Sequence, residues 1–139
     1  MTDLSTPLAP SLAASPIVKP LHFVRAEGGP GSPLATRLRR ELRGDVLFDR
    51  ASRGRYATDA SIYQIMPVGV VVPRDQRDLL LALEIARDAH APVLARGAGT
   101  SQCGQTVGEA LVIDNRKWLN QVIDFDPVAA TGTVEPGIV

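Results

Sequence analysis

The chain has 139 residues, 45% hydrophobic and 22% charged, the balance of an ordinary globular domain long enough to bury a core. Fifteen Lys and Arg cancel fifteen Asp and Glu, which removes any general polyanion-binding role. The single cysteine, Cys103, excludes an internal disulfide framework and any multi-cysteine metal site, and His22 and His90 have no metal-ligand spacing.

Residues 1–31 are rich in Pro, Ala, Ser and Gly without a period, and read as a mobile tail in which Leu21-His22-Phe23-Val24 is a short docking segment. Asp3 and the prolines at 7, 10 and 16 are incompatible with a signal peptide, and no apolar run approaches membrane-spanning length. Ser32 has the chemistry of a helix N-cap, with Pro33 at the first helical position. Leu34, Leu38 and Leu42 recur at four-residue spacing and Gly44 supplies a stop, which predicts a helix over 33–43.

Between Arg37 and Arg55 lie seven arginines against Glu41, Asp45 and Asp49. Single-stranded nucleic acid needs stacking partners, and only Phe48 and Tyr56 are near, so the stripe reads as a solvated helix face and no nucleic-acid partner is expected. From Asp45 to Tyr63 the chain is polar and irregular, an ordered polar wall rather than a linker, with Asp59, Ser61 and Tyr63 as groups that could line a site or merely bond within the loop.

Val68-Gly69-Val70-Val71-Val72 is a continuous β-branched run, as in a strand buried on both faces, and Pro73 ends it. Asp75 then caps a helix reaching about His90, with Leu79, Ala82, Leu83, Ala86 and Ala89 expected on its buried face. Pro92 breaks the chain before the strand Val93-Leu94-Ala95, completing a βαβ unit with parallel strands. A third short strand, Leu111 to Asp114, follows, then a turn at Arg116–Leu119. The runs 121–125 and 129–134 read as an antiparallel hairpin around Asp126-Pro127. Pairing is therefore expected to change from parallel to antiparallel near residue 120.

The stretch between the second and third strands carries the chemistry. Gly97, Gly99 and Gly104 fall within eight residues, beside Arg96 and the short polar groups of Thr100, Ser101 and Gln102. Glycines let backbone approach a ligand closely, and successive N–H groups in such a loop form an anion nest. A nicotinamide-type G-x-G-x-x-G does not fit: the third glycine position is Gln102, and the ten residues before the next strand leave no room for a crossover helix. No Gly-Lys-Ser/Thr follows, so a Walker-type phosphate loop also fails. Two readings stay open from the residues alone: a loop gripping phosphates by backbone amides, or glycines that serve only a tight bend. Cys103 reads as loop filler, since no histidine is near it in sequence.

The ordered set Tyr56–Gln64, Val70-Val71-Val72-Pro73, Arg96-Gly97-Ala98-Gly99-Thr100-Ser101, Gly104-Gln105, Val112-Ile113-Asp114 and Val134-Glu135-Pro136-Gly137 resembles the FAD-binding domain of the vanillyl-alcohol oxidase/p-cresol methylhydroxylase type. Within it the chain is most similar to bacterial FAD-linked D-2-hydroxyacid dehydrogenases of the D-lactate and D-2-hydroxyglutarate kind. The resemblance implies that Arg96, Gly97, Ala98, Gly99, Thr100, Ser101 and Gln102 wrap the FAD pyrophosphate through backbone amides. It implies that Pro73 borders the adenine side and that Glu135, Pro136 and Gly137 begin the segment along the dinucleotide. Some relatives attach flavin covalently through a histidine in this loop; Thr100 stands at that position, which implies a dissociable FAD.

The expected fold is thus α+β: a small parallel βαβ subdomain covered by helices over 32–139, then the start of an antiparallel subdomain. The family's domain continues well beyond a position like Val139, so the chain reads as an N-terminal portion, with catalytic residues unknown. Iron–sulfur clusters belong only to C-terminal domains outside it. The implied function is the FAD-binding part of a flavin dehydrogenase acting on a D-2-hydroxy acid, and the alternative is a truncated nucleotide-binding fragment without turnover. FAD and, in the whole enzyme, a D-2-hydroxy acid are the expected partners. The expected location is cytoplasmic, or peripheral at the inner membrane face.

Overall fold

A computed structural model describes residues 28–139; the tail segment Leu21–Val24 and His22 lie outside the described residues. Helix α1 spans Pro33–Glu41. The Ser32 hydroxyl accepts from the Ala35 amide at 3.2 Å, satisfying one of the first-turn donors, and Pro33 needs no acceptor there. The helix ends two residues before the predicted limit because Leu42 is already extended, with ψ 151°. Gly44 then passes so close to β2 that a Cβ on it would lie 2.1 Å from the Val72 carbonyl oxygen.

Two elements follow that the sequence did not reveal. Strand β1, Asp45–Leu47, pairs antiparallel with β2, placing Asp45 opposite Val72 and Leu47 opposite Val70. Helix α2, Arg50–Arg55, starts where Asp49 accepts from the Ser52 amide at 2.8 Å. The stretch 45–63 is therefore irregular only after Tyr56. A three-residue strand and a six-residue helix containing Gly54 are too short and too weak in propensity to carry a periodic signal; pairing and capping sustain them. The arginine stripe is likewise divided. Arg39 and Arg40 are solvated, Arg37 bonds to Glu41 and Asp88, and Arg43 bonds to Asp75. Arg53 is tucked in, donating from Nε to the Pro67 carbonyl at 2.7 Å.

Strand β2, Gly69–Val72, is buried along its whole length, as its apolar run predicts. Helix α3, Gln76–Asp88, is capped by Asp75, whose carboxylate accepts from the Asp78 amide at 3.0 Å. Its buried face is rotated from the predicted one: Asp78, Ala82, Ile85 and Ala86 are buried, whereas Leu83 and Ala89 are exposed. The cause is Asp78, whose carboxylate accepts the backbone N–H groups of Gly44 (2.7 Å), Arg74 (3.1 Å) and Arg43 (3.2 Å). An inward-facing acid of that kind is invisible to a pattern of apolar residues.

Strands β3, Val93–Arg96, and β4, Leu111–Asp114, complete a four-stranded sheet in the order β1-β2-β4-β3. β4 lies between β2 and β3 and runs parallel to both. The expected parallel βαβ unit is present, and β1 adds an antiparallel edge strand to it. Helices α1 and α3 pack together, and Leu34, Leu38, Phe48, Val71, Ile85, Leu111 and Ile113 belong to the shared core. After a turn at Arg116–Trp118, β5 (Val122–Asp126) and β6 (Thr131–Val134) form the predicted antiparallel hairpin as a separate two-stranded sheet. Asp126 closes its turn by accepting the Val128 and Ala129 amides at 2.8 and 3.0 Å.

Candidate functional site

The register brings the ends of three parallel strands to one edge. Arg96 of β3 stands opposite Asp114 of β4, β2 ends at Val72 beside them, and Asp45 opens β1 at the same level. Ligands of open α/β sheets lie outside the carboxyl ends of their strands, because loops rather than side-chain layers meet there. A cavity of about 480 Å³ occupies this edge; Tyr56, Val72, Arg96, Gly97, Ala98 and Asp114 are among its lining residues.

The cavity wall is held by a polar network. The Tyr56 hydroxyl donates to Asp114 at 2.8 Å, and the second Asp114 oxygen accepts the Arg116 amide at 2.9 Å. Burial, then the bond to the Asp114 carboxylate, pushes the Tyr56 phenol up to about 12. Arg96 donates from one nitrogen to the Thr106 carbonyl at 3.3 Å and to the Tyr56 carbonyl at 3.4 Å, with its guanidinium 5.3 Å from the Tyr56 ring centre. Arg55, Arg116 and Lys117 add positive charge to the lining, partly offset where Lys117 bonds to Asp45 at 2.6 Å. Arg74 and Lys117 lie 3.9 and 4.8 Å from the Trp118 ring centre.

The connection from β3 to β4 contains no helix. Gly99 and Gly104 have φ of +72° and +77°, conformations that favour glycine. A Cβ on Gly99 would also lie 2.5 Å from the Arg96 guanidinium, and one on Gly104 would lie 2.6 Å from the Tyr63 ring. Gly97 differs from both. Its φ is not positive, and a Cβ there would have no atom within 4 Å. Nothing in the described chain requires glycine at the position where the loop enters the cavity.

In the second half of the loop the Ser101 hydroxyl accepts the amides of Cys103 and Gln105 at 3.4 Å each and bonds to the Gln105 side chain. The amides of residues 98–102, by contrast, donate to no other group among the described residues. Asp59 crosses to this loop: one carboxylate oxygen accepts the Thr106 hydroxyl at 3.0 Å, the other the Ser61 amide at 2.9 Å. Those bonds, the Ser61 contribution foremost, hold the Asp59 carboxyl down to about 2.

Of the residues expected at the site, Arg96, Gly97 and Ala98 line the cavity, and Gly99 to Gln102 continue directly from them. Pro73 is buried directly after Val72 but does not line the cavity. Glu135 accepts the Gln121 amide at 2.9 Å at the open end of the hairpin. Gly137 donates to the Leu119 carbonyl at 2.7 Å and lies against Asn115, where a Cβ would be 2.2 Å from the carbonyl oxygen. Glu135, Pro136 and Gly137 therefore join the hairpin to the turn after β4 and stand outside the cavity lining. Sequence reasoning gave no role to Tyr56, Asp114, Arg55 or Lys117. The available signal was Asp114, an acid ending the apolar run Leu111-Val112-Ile113 at the carboxyl end of a parallel strand. Cys103 and His90 are exposed, and among the described residues no helix is long and apolar enough to cross a membrane.

A glycine-rich strand–loop–strand with unpaired amides at a sheet's carboxyl edge has the donors of an anion-binding loop. The chain belongs to the FAD binding domain family, whose profile matches residues 67–139. It is 34% identical over 103 residues to the glycolate oxidase subunit GlcD of Bacillus subtilis, covering 71% of this chain and 22% of that protein. It is 32% identical over 99 residues to the D-2-hydroxyglutarate dehydrogenase of Escherichia coli, covering 69% and 10%. The chain thus spans about a fifth and a tenth of the length of these relatives. Among solved structures, its fold is similar to alkyldihydroxyacetonephosphate synthase, with TM-score 0.68 at 18% identity over 81% of this chain and 24% of that one. It is also similar to p-cresol methylhydroxylase, with TM-score 0.61 at 18% identity over 76% and 22%. The cofactor of the family is FAD, and the fold is the p-cresol methylhydroxylase type. The site fits such a group: unpaired amides supply anion donors, and the open space beside Gly97 leaves room for a diphosphate against the backbone.

Proposed function

We propose that residues 96–102 hold the pyrophosphate of a dissociable FAD, and that the chain is the FAD-gripping part of a flavin dehydrogenase of D-2-hydroxy acids. The observation that carries the reading is the unpaired amide run 98–102 beside Gly97, whose missing side chain serves no contact in the chain itself. Backbone N–H groups bind phosphate oxygens without the desolvation cost of a buried cation, and a preset nest adds little ordering cost on binding. Pro73, by ending β2, and Glu135–Gly137, by fixing the hairpin to the turn after β4, support this cradle from outside it. Thr100 offers no imidazole for a covalent flavin link.

In the whole protein the flavin would accept a hydride from the α-carbon of the hydroxy acid. Residues 96–102 bind and orient the cofactor. The hydroxy-acid assignment is supported by the names of the two sequence relatives, glycolate oxidase subunit and D-2-hydroxyglutarate dehydrogenase.

The test is a titration of the purified protein with FAD, FMN and riboflavin, followed by flavin fluorescence and by thermal shift. FAD is expected to bind and raise the melting temperature, riboflavin to do neither. Equal binding of FAD and riboflavin would remove the pyrophosphate from the recognition. The full-length protein is expected to reduce an artificial acceptor with D-lactate or D-2-hydroxyglutarate and not with their L-enantiomers.

A further inference from the structure

The glycine loop is tied to one distant segment, residues 56–63, at three points. Arg96 donates to the carbonyls of Tyr56 and Thr106, so it bridges the segment to the far side of its own loop. Thr106 bonds to Asp59 at 3.0 Å, and Tyr63 lies against Gly104. The Arg96 guanidinium also fills the space beneath Gly99. An arginine serving as a phosphate ligand presents its planar fork to the anion, whereas this one has Nη1 on two carbonyls and its Nε and Nη2 edge packed beneath Gly99.

We propose that Arg96, Asp59 and Thr106 form a clasp that presets the glycine loop for the dinucleotide, acting as positioning residues rather than as ligands. The proposal rests on the reading of the loop as a pyrophosphate grip. The physical reason is that the loop between β3 and β4 has no helix to brace it, so the cost of ordering its amides must be met before the ligand arrives if binding is to be tight. Asp59 is suited to the task because it accepts two bonds in one orientation, fixing its own loop through Ser61 and the glycine loop through Thr106.

The experiment compares wild type, Thr106→Val, Thr106→Ser, Asp59→Ala, the Asp59→Ala/Thr106→Val double variant and Arg96→Lys, by FAD titration and by amide hydrogen exchange without ligand. Thr106→Val and Asp59→Ala are each expected to weaken FAD about tenfold, the net worth of the Asp59–Thr106 bond that both remove. The double variant is expected to be no weaker than either single one, and Thr106→Ser to restore wild-type affinity. Arg96→Lys keeps the charge but lacks the planar guanidinium that fills the space beneath Gly99, so it is expected to lose affinity. Amides 98–102 are expected to exchange faster in Thr106→Val while the β2 and β4 amides are unchanged. Wild-type affinity in Arg96→Lys, additive losses in the double variant, or unchanged loop exchange would each overturn the clasp. Absence of FAD binding by wild type would instead overturn the pyrophosphate reading, and the exchange data would still decide the clasp.

Discussion

The hydroxyl of Tyr56, at the end of α2, donates to the Asp114 carboxylate at the end of β4 across 58 positions of sequence, at 2.8 Å. This bond fastens α2 to the carboxyl edge of the sheet and has a pH signature. The phenol is raised from 10.0 to about 12, by burial first and by Asp114 second, so the folded state retains a proton that the unfolded chain releases earlier. Its contribution to stability is fully present below about pH 10 and is lost as pH rises towards 12. Wild type is therefore expected to lose stability over that window in urea titrations at pH 8, 10 and 11. Tyr56→Phe should show a flatter alkaline limb and, at pH 8, a loss of about 1 kcal/mol, the usual net worth of one hydrogen bond. Parallel alkaline limbs in the two proteins would refute the assignment.

The three loop glycines should separate by experiment. Gly97→Ala is expected to leave the melting temperature unchanged, since its Cβ enters open space at an ordinary φ, and to weaken FAD at least tenfold if the pyrophosphate touches that backbone. Gly104→Ala, at φ +77° and against Tyr63, is expected to cost stability by about 1–2 kcal/mol, from the strain of a side chain in the left-handed region. Circular dichroism melts beside FAD titrations check both. Gly97→Ala with wild-type affinity would show that the diphosphate lies elsewhere along the edge.

Asp78 presents a different kind of dependence. Its carboxylate accepts three backbone N–H groups from the α1–β1 and β2–α3 connections, and its side chain is nearly wholly buried. Asp78→Ala leaves those donors without acceptors and is expected to destabilise by about 2–4 kcal/mol, several unsatisfied groups at once. Asp78→Asn retains an acceptor oxygen and should recover part of the loss. A melting temperature within two degrees of wild type in Asp78→Ala would mean that water replaces the carboxylate.

Which parts of this molecule the sequence reveals follows from where the determinants lie. β2 and β4 are legible because Gly69–Val72 and Leu111–Ile113 are buried on both faces and so must be apolar throughout. The glycine loop is legible because backbone conformation there selects residue type directly. β1 and α2 are not, since Asp45–Leu47 is a strand by virtue of its partner β2, 25 residues away, and α2 relies on a single aspartate cap. The buried face of α3 is misread because Asp78 turns inward for the sake of amides that belong to other elements. Tyr56 and Asp114 escape for the same reason: their partnership exists only after the sheet has formed. Local pattern locates the phosphate loop; the wall behind it is built from long-range polar pairs.

Gly69 and Phe48 test whether the core and the site can be separated. A Cβ on Gly69 would lie 2.2 Å from the Phe48 ring, which is only 1% exposed and belongs to the packed core. Gly69→Ala is expected to destabilise by about 2–3 kcal/mol through overpacking. Phe48→Leu alone should cost about 1–2 kcal/mol for its lost contacts, yet it opens room beside Gly69. The double variant is therefore expected to be more stable than the sum of the two losses predicts, the signature of a shared contact in a double-mutant cycle. Gly69 stands at the opposite end of β2 from Val72, so FAD affinity measured well below the melting temperature should not change in any of the three variants. Additive losses would show that the ring relaxes away from the new methyl group, and a fall in FAD affinity in step with stability would show that the carboxyl edge is not held independently of the core beneath it.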